Sequence, residues 1–316
     1  NKVYLKPIKG MFAKAQTIDV AFLAMHGTGG EDGSLQGMLE MLDLPYTSSN
    51  VLGSAVGQDK VIMKEILEYE HVPMVPWFFV YSNDIANTYK DIEAKAEMIG
   101  YPLIIKPANL GSSIGIEIVH KKDELKSALS ECAKYDDKLV IEKMVKQLKE
   151  INISVMGNSK DAKVSAIEEV MKGDEFLSFS NKYLGGGKGT KGSKPTKVAA
   201  TKGSKGMASA SRIVPARLDG KKQEQIEEYA LKSFKDLNAS GAVRIDFMID
   251  KEDGSVYVNE INSIPGSLAF YLWKEVGVDF REECDMLINN ALNVYREKKK
   301  KVRSFDTNIL SNYKEN

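Results

Sequence analysis

The stretch RIDFMIDKEDGSVYVNEINSIPGS, residues 244–267, constrains the fold more than any other. Two apolar-alternating runs flank an Asp-Gly turn signal, which predicts an antiparallel β-hairpin. Yet the hairpin carries Arg244, Asp246, Glu260 and Asn262. Side chains alternate faces along a strand, so the first pair shares one face and so does the second. A turn of Glu252, Asp253 and Gly254, with Gly254 left-handed, predicts Lys251 opposite Ser255. Asp246 then lies opposite Glu260, and Arg244 opposite Asn262. Two carboxylates and an amide oxygen at close quarters suit a hard divalent cation such as Mg²⁺, completed by water and phosphate oxygens. A solvated sheet face with an Arg–Asp pair is the other reading that the hairpin alone allows.

The rest of the chain must decide between them, and its composition first excludes some classes. With 44 Lys plus Arg against 44 Asp plus Glu, it lacks the basic excess on which nucleic-acid affinity rests. Two cysteines, Cys132 and Cys284, are too few for a disulfide framework and lack metal-site spacing. No apolar run is long enough to span a membrane. These features predict a cytoplasmic protein with neither nucleic-acid nor membrane partners.

Strand and helix signals alternate along the chain. IDVAFLAM (18–25) predicts a buried strand, HGTGGEDGS a Gly-rich loop, and LQGMLEMLDL (35–44) a helix capped by Ser34, the α/β unit of a parallel sheet. This unit is short for a domain and starts at Asn1, so a further unit is expected upstream. Asp59 is placed to cap the next helix, KVIMKEILEYE. A strand (WFFVYS), a helix, two strands around a Gly/Ser loop, another helix and the strand KLVIEKMV (138–145) follow. EINISVMG, AKVSAIEEVM and EFLSFS predict consecutive antiparallel strands, and two long helices bracket the hairpin. Residues 185–211 hold six lysines and seven glycines with almost no large apolar side chain. Such a loop is either a solvated insertion or a lid over a charged substrate.

Two further stretches carry chemistry. Lys106 ends an apolar strand, and GSSIG (111–115) follows it, where backbone N–H groups with Ser112 and Ser113 form an anion-binding concavity. LVIEKMVKQLKEINISV places Glu142 and Lys143 at a strand end and Glu150 at the next strand's start. That segment offers an apolar slot, backbone groups and an acid, which a nucleotide requires.

At this point the chain resembles a family. HGTGGEDGSLQGMLEMLDLPYTSS, DKVIMK, YPLIIKPANLGSSIG, IEKMV with KEINISV, NKYL, and RIDFMID with VNEINSIPGS occur in the order of the D-alanine–D-alanine ligases of the ATP-grasp superfamily. The resemblance runs from about residue 18 to 268. It implies an α/β (α+β) ATP-grasp fold, two α+β lobes clasping ATP, preceded by a partial Rossmann-like domain. Boundaries are expected at 1–56, 57–145 and 146–316, with a lid at 182–212.

It further implies that Lys60 and Lys106 hold ATP phosphates, that Glu142 and the backbone of Lys143, Met144 and Val145 form the adenine hinge, and that Glu150 binds the ribose. Phe176 and Met248 would sandwich the base. Asp246, Glu260 and Asn262 would ligate two Mg²⁺ ions, with Mn²⁺ a possible substitute. Arg244 and the Gly266 N–H would form the oxyanion site. Ser112 and Tyr183 match two members of the family's substrate triad, whose third member, a Glu, has no counterpart. His26, Glu31 and Lys182 would border the substrates, and a homodimer is implied.

The implied reaction joins two D-amino acids through an acyl phosphate, for peptidoglycan precursor synthesis. Two departures stand out. After Pro265 and Gly266 the chain reads SLAFYLW, placing Tyr271 where the family carries a hydroxyl for the second substrate, with Leu272 next to it. The lid is also longer and more basic. An acceptor other than D-alanine is therefore expected. The alternatives are a related dipeptide ligase and a degenerate nucleotide-binding homologue.

Overall fold

The computed structural model describes residues 3–6, 14–111, 113–171 and 212–302. Strands β1 (Val3–Leu5) and β2 (Gln16–Ile18) pair antiparallel. The expected parallel strand over 18–25 is corrected. Beyond β2 this run makes one parallel bridge, Ala21 to Tyr46, and Phe22 and Met25 are exposed. A ladder needs a neighbouring strand to pair its backbone, and among the described residues none runs alongside. Ser34 does not cap α1 (Ser34–Met41) either. Gly33, at φ 93°, is the N-cap, and the Asp32 carboxylate accepts the N–H groups of Ser34 at 2.9 Å and Gly29 at 2.7 Å.

A second helix, α2 (Val51–Gln58), is capped by Asn50 and runs directly into α3 (Lys60–Tyr69). Its Gly53 is required by close packing: a Cβ there would stand 2.3 Å from the carbonyl oxygen of Asn238. Asp59 caps α3 as expected, accepting from the N–H groups of Val61 and Ile62.

Two antiparallel sheets build the body. The four-stranded sheet has the order β3 (Trp77–Tyr81), β6 (Lys138–Lys143), β4 (Leu103–Pro107), β5 (Glu117–Val119). Helices α4 (Ile85–Ile99) and α5 (Leu125–Cys132) cover one face, where Leu103, Ile105, Leu139 and Ile141 meet Ala96 and Leu129.

In the five-stranded sheet β11 (Val256–Asn262) is followed by β10 (Gly241–Asp250), β7 (Leu148–Gly157), β8 (Ala162–Val170) and β9 (Arg212–Ile213). Its apolar face carries Ile151, Ile153, Val243, Ile245, Phe247 and Val258 against α6 (Gly220–Asp236). The expected strand EFLSFS and the lid at 182–211 lie outside the described residues.

Helix α3 serves both sheets. Met63 and Leu67 enter the core of the five-stranded sheet, whereas Val61 packs with Ala108 and Val140 of the other lobe. Lys60 and Lys64 are therefore delivered between the lobes. The polar face of the five-stranded sheet is closed at one end by α7 (Phe270–Lys274) and α8 (Phe280–Lys299), through Trp273 and Leu287. Trp273 donates from Nε1 to Ser154 Oγ at 3.1 Å. The remainder of that face is left for the site.

One buried group stands apart. Glu283 of α8 is fully buried, and neither carboxylate oxygen has a hydrogen-bond partner among the described residues. Burial pushes its carboxyl up to about 8. The folded state thus holds a proton that the unfolded chain releases near its ordinary value, so stability falls as pH rises from about 4.5 to 8. Glu283→Gln removes that titration. Thermal unfolding should show Glu283→Gln more stable than wild type by about 1–3 kcal/mol at pH 8, with the gap closing towards pH 5.

Candidate active site

The β10–β11 hairpin brings its four polar side chains together, but by a different route from the one expected. Arg244 pairs with Asn262 and Asp246 with Glu260, as the alternation predicts. The turn, however, is longer. Ile249 faces Val256, the Asp250 N–H donates to Ser255 O at 3.0 Å, and Gly254, at φ 76°, donates to Asp250 O at 2.8 Å. Lys251 through Gly254 thus form the loop. The extra turn residue is offset by a β-bulge, because Phe247 faces Val258 while Asp246 faces Glu260. Asn259 is the inserted residue, and it stands beside Glu260 on the polar face.

The sheet extends this polar row. Asp246 lies opposite Asn152 of β7, and Asn152 opposite Glu168 of β8. Glu260, Asp246, Asn152 and Glu168 therefore cross four strands in line. Arg244 grips Asp246 with two bonds, Nε to Oδ1 at 2.6 Å and Nη2 to Oδ2 at 2.7 Å, and Asn262 Nδ2 adds a third at 3.2 Å. Burial pushes Asp246 up to about 6 against the pull of Arg244, with Glu260 and Glu168 adding repulsion. The expected oxyanion donor and the expected metal ligand are thus joined in one ion pair. Gly266 is exposed, and a Cβ there would meet nothing within 4 Å.

Facing this row is a cluster of lysines. Lys60 Nζ donates to Leu110 O at 2.7 Å and lies 3.7 Å from Glu260 Oε2. Burial pulls its ammonium down, and Glu260 opposes the shift. Lys106 Nζ touches Glu142 Oε1 at 2.5 Å and Asn259 Oδ1 at 3.2 Å, joining the two sheets. Lys64, one helical turn beyond Lys60, is fully buried, with Nζ 3.0 Å from Glu142 Oε2 and 5.7 Å from the Trp77 ring centroid.

Glu142 is corrected accordingly. It is 2% exposed, and its carboxylate is shared by two ammonium groups rather than turned to a base. Burial opposes its ionisation, but Lys106 and Lys64 hold it at about 2.

The strand end beside Glu142 has its own geometry. The N–H groups of Lys143 and Met144 donate to Pro76 O at 2.9 Å and Pro102 O at 3.1 Å, and Lys143 Nζ donates to Gly100 O at 2.8 Å. These two residues brace the segment. Val145 and Met248 form an apolar cluster with Val75, against which Leu148 and Tyr257 pack. Glu150 lies opposite Met248 in register. Glu150 thus lies beside this apolar cluster.

In the 111–115 loop, Ser113 is exposed at φ 58°, and a Cβ on Gly115 would press on Tyr135 at 2.8 Å and Pro107 at 2.9 Å. Ser112, Phe176, Lys182 and Tyr183 lie outside the described residues. His26 Nδ1 is 3.9 Å from Glu31 Oε1, while Glu31 Oε2 accepts the Gly27 N–H at 2.5 Å, so this pair stiffens the glycine-rich loop.

Tyr271 and Leu272 are the residues expected to border the second substrate. Tyr271 does not offer its hydroxyl outward. It donates to Glu168 Oε1 at 2.8 Å, which also accepts from Asn152 Nδ2 at 2.8 Å, and the Arg212 guanidinium covers the tyrosine ring at 4.4 Å. Burial and then Glu168 push the phenol above its usual range. Leu272 is corrected too: it is fully buried beside Trp273 and presents no surface to a substrate.

Lys64, Asn152, Glu168, Arg212 and Asn259 were not singled out from sequence. Only Lys64 had a local signal, its four-residue spacing from Lys60 on a predicted helix.

A family model described as D-ala D-ala ligase C-terminus matches residues 66–205 and 197–289, and one described as D-ala D-ala ligase N-terminus matches 5–49. A D-alanine–D-alanine ligase of Thermosipho africanus is 39% identical over 301 residues, 94% of this chain and 74% of the relative. Among solved structures, the D-alanine–D-alanine ligase of Coxiella burnetii superposes with a TM-score of 0.72 at 29% identity, covering 91% of this chain and 71% of that one. The Bacillus anthracis D-alanine–D-alanine ligase complexed with ATP gives 0.68 at 30% identity, covering 89% and 81%.

Because Glu168 Oε1 satisfies two donors, its loss should cost more than loss of either one. Urea unfolding should show Glu168→Ala destabilised by about 2–4 kcal/mol and Tyr271→Phe by about 1 kcal/mol.

Proposed function

This chain belongs to the D-alanine–D-alanine ligase family, and from that premise we propose that it holds ATP between the lysine cluster and the β10–β11 hairpin while joining two D-amino acids. It is an ATP-dependent, ADP-forming ligase that acts in peptidoglycan precursor synthesis. The observation that carries the siting is the facing pair of charge clusters. Lys60 and Lys106 come from one side, and Asp246, Glu260 and Asn262 from the other, with Lys106 already bonded across to Asn259.

In the first half-reaction a carboxylate oxygen of the first amino acid forms a bond to the γ-phosphorus. The bond to the β,γ-bridging oxygen breaks, and ADP leaves. In the second, the amine of the acceptor attacks the acyl carbon, and the tetrahedral intermediate expels phosphate and loses a proton to leave the amide. Both halves concentrate negative charge, so placed cations and N–H donors carry the catalysis.

Lys60 and Lys106 hold the phosphates. Arg244 and the Gly266 N–H receive the developing oxyanion. Val145 and Met248 line the base slot, and Glu150 takes the ribose hydroxyls. His26 and Glu31 border the substrates, and Ser112, Phe176, Lys182 and Tyr183, which lie outside the described residues, are assigned to the site by the family resemblance alone.

Among the described residues no three His, Cys, Asp or Glu side chains cluster as a self-sufficient metal site. Two carboxylates and an amide nevertheless form an oxygen-only set of the kind that suits Mg²⁺ or Mn²⁺ sharing phosphate oxygens. Asp246, pushed towards protonation chiefly by burial and then by Glu260 and Glu168, gains from such a cation. When bound, the metal supplies Lewis-acid stabilisation of phosphoryl charge. A need for ATP favours a cytoplasmic site of action. No helix among the described residues is long and apolar enough to cross a membrane. A homodimer is part of this reading, and sedimentation tests it.

The acceptor is a D-amino acid other than D-alanine, larger or more acidic. Tyr271, tied to Glu168 beneath Arg212, favours this reading because its hydroxyl is already committed. In an acceptor panel, another D-amino acid should exceed D-alanine in kcat/KM, and D-alanine leading by a wide margin would refute the reading. In an ADP-release assay, Lys106→Ala and Glu260→Gln should each lower kcat/KM by about 100-fold or more, and Glu260→Gln should keep an unfolding temperature near wild type.

A further inference from the structure

The lysine cluster contains one member that the reaction as described does not use. Lys64 is fully buried, its ammonium has no hydrogen bond of good geometry, and the charged group beside it is Glu142, 3.0 Å away. An ammonium ion is seldom sequestered without a task, since removing it from water is costly. It cannot reach a substrate, because no part of it is exposed.

Its partner explains its presence. The Glu142 carboxylate is divided: Oε1 faces Lys106 at 2.5 Å and Oε2 faces Lys64 at 3.0 Å. Three ionised groups in this arrangement sum to one positive charge. Lys64 lies deep in α3, whereas Lys106 turns towards Asn259 and the hairpin, so the surplus charge is presented at Lys106. Without Lys64, Glu142 would neutralise Lys106 completely, and the ammonium nearest the hairpin would offer little to an anion. The effect is large at this depth because water does not screen it.

We propose that Lys64 is a positioning residue which, by engaging half of Glu142, keeps Lys106 electrostatically available to a polyphosphate ligand. The inference rests on the nucleotide reading above and deepens it.

Charge balance supplies the test. Lys64→Met keeps length and burial but removes the charge, leaving Lys106 and Glu142 as a neutral pair. Calorimetric titration should show ATP binding weakened by about tenfold, while adenosine, which lacks phosphates, binds within about twofold of wild type. The double variant Lys64→Met/Glu142→Gln restores one net positive charge at Lys106. It should recover ATP affinity to within about threefold of wild type. The double variant buries fewer ions than wild type, so it tests the proposal even if the single variant folds poorly.

Unchanged ATP affinity in Lys64→Met would overturn the proposal. Equal loss of ATP and adenosine binding without recovery in the double variant would do so as well, since it marks a purely structural role. Wild-type protein that binds neither nucleotide nor nucleoside would instead overturn the nucleotide reading, and this inference with it.

Discussion

The ammonium of Lys106, held between Glu142 of one sheet and Asn259 of the other, is the contact on which the arrangement depends. Each sheet has an apolar face covered by helices, and helix α3 carries apolar residues for both lobes. Lys60 and Lys106 meet Glu260 and Asn259 where the lobes adjoin. Unpaired, either set of charges would repel itself. Opposed across a cleft, they form a surface complementary to a polyphosphate carrying divalent cations.

The hairpin shows how little tolerance this complementarity has. A strand alternates strictly, so an additional outward side chain can be placed only by breaking the alternation. The bulge does this at Asn259, setting it beside Glu260 without moving Val258 or Ile261 out of the core. Lys106 thereby gains a partner on β11 while Glu260 remains opposite Asp246. Further along the row, Glu168 performs an analogous service for Tyr271, Asn152 and Arg212, drawing β7, β8, β9 and α7 into one polar node.

Much of this was legible in the sequence where signals are local. The shared face of each hairpin pair followed from alternation, their convergence from the assumed turn, and the cap on α3 from Asp59. The turn length was misjudged, and the correct pairing of Asp246 with Glu260 survived because the bulge restored the count. Glu168 and Asn152 escaped notice because their relation to Asp246 depends on which strands become neighbours, and nothing near them in sequence encodes that. Glu142 was placed at the correct strand end but given the wrong partner, since spacing does not reveal that two lysines arrive there from α3 and β4. The run 18–25 read as a strand because apolar continuity does not specify whether a neighbour exists to pair with it.

The central claim is that hairpin carboxylates and lobe lysines share one nucleotide–metal assembly. Electron paramagnetic resonance titration of Mn²⁺, with and without ATP, in wild type and Asp246→Asn/Glu260→Gln tests this most directly. Wild type should bind Mn²⁺ much more tightly once ATP is present, and the double variant should lose that enhancement while remaining folded. Identical ATP-enhanced Mn²⁺ binding by the two proteins would contradict the account.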